Sequence, residues 1–88
     1  MPIPISEIEA GWVYQTSNKQ ERLVLGWDAH GRVVYATRGG NVMNPFQGQH
    51  TKSSAERFAE KCTVAKVRQV TDLSIYITAN NAQNVVVR

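Results

Sequence analysis

The clearest alternation of apolar and polar positions along the chain runs from residue 21 to residue 38. In ERLVLGW (21–27) Leu23, Leu25 and Trp27 fall on one side, and in VVYATR (33–38) Val33, Tyr35 and Thr37 do so. This period of two is the signature of half-buried strands. Between them Asp28-Ala29-His30-Gly31 has the chemistry of a tight turn, with Asp first and Gly where a positive φ is needed. A regular ladder from that turn sets Asp28 opposite Arg32, Trp27 opposite Val33, Leu25 opposite Tyr35 and Leu23 opposite Thr37. On the other face it sets Arg22 opposite Arg38.

Upstream, Pro2 and Pro4 keep the first residues extended. Ser6 to Gly11 reads as a short helical turn or a turn into WVYQTS (12–17), an aromatic and β-branched strand closed by Asn18-Lys19. Downstream, SSAERFAEKC (53–62) opens with Ser53 and carries Glu56 three residues later, a capping box. Ala55, Phe58, Ala59 and Cys62 then form one narrow apolar stripe of a short helix. TVAKVRQV (63–70) reads as a strand. LSIYITA (73–79) reads as another, with Leu73, Ile75 and Ile77 inward, and VVVR (85–88) as a last strand at an edge after a polar turn. Residues 71–88 thus make a C-terminal hairpin.

The expected fold is mainly β (α+β): a single domain over 1–88, built as a curved antiparallel sheet or small barrel of five to six strands with one helix. The Gly11-Trp12-Val13-Tyr14 start, the tight second hairpin and the late helix-to-strand step resemble SH3-like small barrels over roughly residues 8 to 70. That resemblance implies a scaffold used for binding nucleic acid or peptides, or for oligomerisation, and does not choose among these.

Composition narrows the field. With 42% hydrophobic and 19% charged residues, the 88-residue chain has the make-up of one ordinary globular domain. No apolar run approaches the length of a membrane span, the first ten residues lack a signal-peptide pattern, and the single Cys62 suits a reducing compartment. The expected location is the cytoplasm. Cys62 shares the stripe of Phe58 and should face the core. His30 sits in a turn and His50 in a loop, so the histidines and the cysteine form no metal-ligand spacing. No phosphate loop or nucleophile motif occurs either. The expectation is a non-enzymatic protein without cofactor or metal.

The net charge of +3 permits an anionic partner, and no acid lies between Arg32 and Lys52. Two facing arginines, Arg22 and Arg38, would splay into solvent, pair with Glu21, Glu56 or Glu60, or bind a ligand phosphate. Lys52, Lys66 and Arg68 could extend that patch, and aromatic residues interleaved with arginines suit single-stranded nucleic acid. The long segment 38–54 starts at this pair and adds Phe46, an anchor or partner contact, and His50. Binding of nucleic acid or an acidic protein surface is therefore the first functional reading. The second is a protein–protein module, an inhibitor, adaptor or homodimer, built on the edge strand Val85-Val86-Val87.

Overall fold

A computed structural model describes residues 3–38, 51–79 and 85–86. A 3-10 turn (Ile5–Glu7) leads into β1 (Trp12–Thr16), β2 (Glu21–Trp27) and β3 (Val33–Arg38). Then follow β4 (Thr51–Ser53), α1 (Ala55–Lys61), β5 (Cys62–Gln69) and α2 (Leu73–Ala79). The strands form one five-stranded sheet in the order β4-β3-β2-β1-β5, and every neighbouring pair is antiparallel. β4 and β5 are its two edges and do not pair with each other, so the sheet is open where a closed barrel was one of the expected forms.

The hairpin of β2 and β3 begins as the turn chemistry predicts. Asp28 N–H donates to the Arg32 carbonyl at 3.0 Å, and Trp27 faces Val33. One step further the register departs from the regular ladder, because a bulge places Gly26 opposite Val34 and Val24 opposite Tyr35, with Leu25 as the extra residue. Leu23 therefore faces Ala36, Arg22 faces Thr37 and Glu21 faces Arg38. The expected Arg22–Arg38 pairing does not form. Gly26 makes the bulge possible, with φ +154 and the C-terminal segment pressed against it.

The bulge also divides the apolar residues between two faces. Tyr14, Val24, Val33 and Tyr35 form one cluster with Phe58, Ala59 and Cys62 of the α1 region and with Ile3 and Ile8, and Trp12 and Trp27 pack against it. Val13, Leu23, Leu25, Val34 and Ala36 form a second, covered by Val70, Leu73, Tyr76, Ile77 and Val85. Leu25 and Trp27 thus lie on opposite sides, whereas a regular strand would keep them together. Both faces of the central strands are buried. Tyr14 ties the first face together: its ring meets Phe58 edge-on at 5.4 Å, its hydroxyl donates to the Glu7 carbonyl, and the same oxygen accepts from Glu9 N–H at 2.7 Å.

Three expectations near the chain's second half are corrected. The capping residue of α1 is Ser54, whose hydroxyl accepts from Arg57 N–H at 3.2 Å, while Ser53 ends β4. Residues 51–53, expected as loop, pair with Val33 to Tyr35. Leu73–Ala79 is a helix and not a strand. Its residues toward the second cluster are Leu73, Tyr76 and Ile77, at i, i+3 and i+4, while Ile75 is 62% exposed. The C-terminal hairpin is consequently absent. Val86 instead makes a single antiparallel bridge to Trp27, with backbone bonds of 2.9 and 2.8 Å, and Val85 is half-buried against the second cluster. Neither residue belongs to an edge strand of the sheet. Phe46, His50 and Val87 lie outside the described residues.

Gly26 carries a testable consequence. A Cβ there would lie 2.2 Å from Val85 Cγ1 and 2.6 Å from the Val86 carbonyl oxygen. Gly26→Ala is expected to cost about 2–4 kcal/mol in urea unfolding, combining backbone strain with overpacking. Gly31→Ala, at φ +77 with no atom within 4 Å of its Cβ, is expected to cost only about 1 kcal/mol. Equal losses would show that the C-terminal contact contributes nothing.

Candidate anion-binding site

Four of the chain's cations are satisfied by its own carboxylates. Arg32 Nε meets Asp28 Oδ2 at 2.7 Å across the hairpin turn. Arg38 and Arg68, reaching in from β3 and β5, converge on Glu21 Oε1 of β2 at 2.5 and 2.9 Å. Lys66 Nζ lies 2.7 Å from Glu9 and 3.6 Å from Glu7, and sits 5.5 Å from the centre of the Trp12 ring. The hydrogen bond to Glu9 holds the Lys66 ammonium above its ordinary pKa. Lys66 also has φ +51, part of the irregular pairing of β5 with β1, so Lys66 and Arg68 turn to different acids and do not build one patch. Lys52 is exposed on β4 and faces Val34, a residue of the second cluster.

Arg22 differs from these. Register places it on the first face, opposite Tyr14 on one side and Thr37 on the other. Its guanidinium carbon stands 5.0 Å from the centre of the Tyr35 ring and 5.9 Å from that of Phe58. Nε donates to Gln20 Oε1 at 3.0 Å. All seven side-chain carboxylates of the chain lie among the described residues: Glu7, Glu9, Glu21 and Asp28 take other cations, and Glu56, Glu60 and Asp72 make no ion pair with another described residue. Among the described residues Arg22 therefore has no carboxylate partner, and with Nε bonded to Gln20 the two Nη groups form the remaining fork. Such a fork matches the oxygens of a carboxylate or phosphate.

The surroundings offer more donors. Thr37 is directly across from Arg22 and half-buried. Thr51, exposed on β4, is opposite Tyr35 and so falls on the same face. Cys62 is fully buried nearby, and burial pushes its thiol up to about 11 against the opposing pull of the Arg22 charge. A thiol in that state is not a nucleophile. Among the described residues no group of three or more His, Cys, Asp or Glu could hold a metal ion, and no helix is long and apolar enough to cross a membrane.

Of the sequence-predicted site residues that are described, only Arg22 joins this face without an ion pair. Arg38, Lys66 and Arg68 are held by Glu21, Glu9 and Glu7. Gln20, Thr37 and Thr51 are not marked by the sequence pattern, whereas Glu21, one of the acids expected to pair with the two arginines, takes Arg38. The one signal that could have found them is Gly26, a glycine inside a strand pattern, which marks a bulge. No family model, curated protein or solved structure matches the chain.

Two outcomes follow. Glu21→Gln leaves Arg38 and Arg68 side by side without their shared acid, and is expected to cost about 1–2 kcal/mol in chemical unfolding, discounted for partial exposure. A change below a few tenths would mean that the pairs are dispensable. The Cys62 thiol is expected to resist a thiol reagent at pH 8 in the native protein and to react fully in denaturant. Because its folded pKa is raised, its contribution to stability is complete below the unfolded value near 8.5 and is lost as pH rises towards about 11. Unfolding scans from pH 8 to 11 should show the decline, less steeply in Cys62→Ala.

Proposed function

We propose that the protein is a small non-enzymatic binding domain that engages an acidic protein surface through Arg22. The observation that carries this reading is a guanidinium held over Tyr35 and Phe58 and by Gln20, while no side-chain carboxylate of the chain pairs with it. A rigid arginine loses little entropy when an anion docks, which suits recognition. Nucleic acid is the less favoured partner. Arg38, Lys66 and Arg68, which would extend a phosphate-tracking groove, are neutralised within the chain, and Tyr14, Tyr35 and Phe58 are buried and unavailable for stacking bases.

The test is a titration of the full chain with hexaglutamate and, separately, mixed-sequence single-stranded RNA, followed through backbone amide and arginine Nε–H signals. Hexaglutamate is expected to move the signals of Arg22, Thr37 and Thr51, and Arg22→Gln to weaken it roughly tenfold, the loss of one charge-assisted pair. Binding that survives Arg22→Gln unchanged overturns the reading. So does RNA that binds more tightly than the peptide with a steep salt dependence, which would restore the nucleic-acid function.

A further inference from the structure

The fork of Arg22 does not stand alone on its face of the sheet. Thr37 is its direct partner across β2 and β3, and Thr51 is the next residue on that face across β3 and β4. A carboxylate is planar, with two oxygens whose acceptor sites lie in one plane, and a bidentate fork takes one site on each. A phosphate monoester is tetrahedral, carries up to two charges and has three terminal oxygens that accept hydrogen bonds. Donors set on three successive strands of one face, Arg22 on β2, Thr37 on β3 and Thr51 on β4, suit three oxygens of a tetrahedral group better than two in one plane. The acid-free stretch from Val33 to Lys52, which includes both threonines, adds no opposing charge.

Resting on the reading of Arg22 as an anion site, we propose that the group it recognises is a phosphate monoester on a protein partner, held by the Arg22 fork with Thr37 and Thr51 as hydroxyl donors. Gln20 has a positioning role, since its bond to Nε fixes the guanidinium and leaves the Nη pair for the ligand. The division of labour predicts different sensitivities. The arginine should matter for every anion and the threonines for the tetrahedral one alone.

The experiment titrates the full chain at pH 7.5 with inorganic phosphate, with acetate, with a phosphoserine tripeptide and with hexaglutamate, reading the Arg22 Nε–H and the Thr37 and Thr51 amide signals. Phosphate and the phosphoserine peptide are expected to bind roughly tenfold more tightly than acetate. Thr37→Val and Thr51→Val should each weaken phosphate by about threefold to tenfold, the loss of one hydrogen bond, and leave acetate unchanged. Arg22→Lys, which keeps the charge and the ring contact but not the fork, should abolish the preference while the dispersed spectrum shows an intact fold. Equal affinity for phosphate and acetate, with hexaglutamate still moving Arg22, overturns the phosphate assignment and leaves the anion site standing. Silence of Arg22 towards all four probes overturns both. RNA that displaces the phosphoserine peptide more effectively than unlabelled phosphate would assign the site to a phosphodiester backbone and overturn the protein-borne monoester.

Discussion

The extra residue at Leu25, accommodated by Gly26, governs most of what lies around it. Because the bulge shifts β2 by one residue against β3, Trp27 packs with the cluster under α1 while Leu23 and Leu25 pack with the cluster under α2. The same shift brings Glu21 rather than Arg22 opposite Arg38. A ladder without it would set two guanidiniums face to face, a destabilising arrangement; with it, the pair becomes Arg38–Glu21 and Arg22 meets a threonine. Gly26 also leaves space for Val85 and Val86 to approach β2 beyond the start of β1. Register, core division, charge pairing and placement of the C-terminal segment thus depend on one local irregularity.

What was legible in the sequence is what local chemistry determines. Asp28 and Gly31 specify their turn, and the stripe of Phe58, Ala59 and Cys62 specifies the buried side of α1. The boundaries moved by a residue, because Ser53 and Ser54 are both competent caps and only the pairing of β4 with β3 decides between them. LSIYITA was ambiguous in kind. Leu73, Ile75 and Ile77 satisfy a period of two, while Leu73, Tyr76 and Ile77 satisfy the helical one. Its β-branched content favours strand, and tertiary context overrides that preference: the exposed second face of the sheet accepts a helix laid over Leu23, Leu25 and Val34. The register error was different. It assumed a regular ladder through Gly26, although an interior glycine is the sequence mark of a bulge.

An open sheet has two edges to protect, and each carries a device against adding another strand. β4 is three residues long. β5 is eight residues long with Val64 and Val67 exposed, but its pairing with β1 is broken by register shifts and by Lys66 at φ +51. Short edges, bulges and lysines are the means by which sheets avoid joining edge to edge. Of the C-terminal valines expected to offer an edge, Val85 packs on the second cluster, and Val86 makes a single backbone bridge to Trp27 with its side chain exposed. The recognition we propose rests on the α1 face and not on sheet extension.

The recognition proposed for Arg22 is tied to the fold itself. Its guanidinium stands over rings that are nearly wholly inaccessible, and its charge acts on the buried Cys62 below. An arginine in that position contributes to stability by covering apolar surface with its stem while its head stays near solvent. The folded chain holds the fork oriented by Gln20, Tyr35 and Phe58, whereas in the unfolded chain those groups are scattered. An anion that prefers the oriented fork binds the native state over the unfolded one, and must stabilise it by mass action. The binding proposed at this position is therefore coupled to folding through one side chain, because the aromatic cluster that holds the domain together also holds the Arg22 guanidinium over its rings.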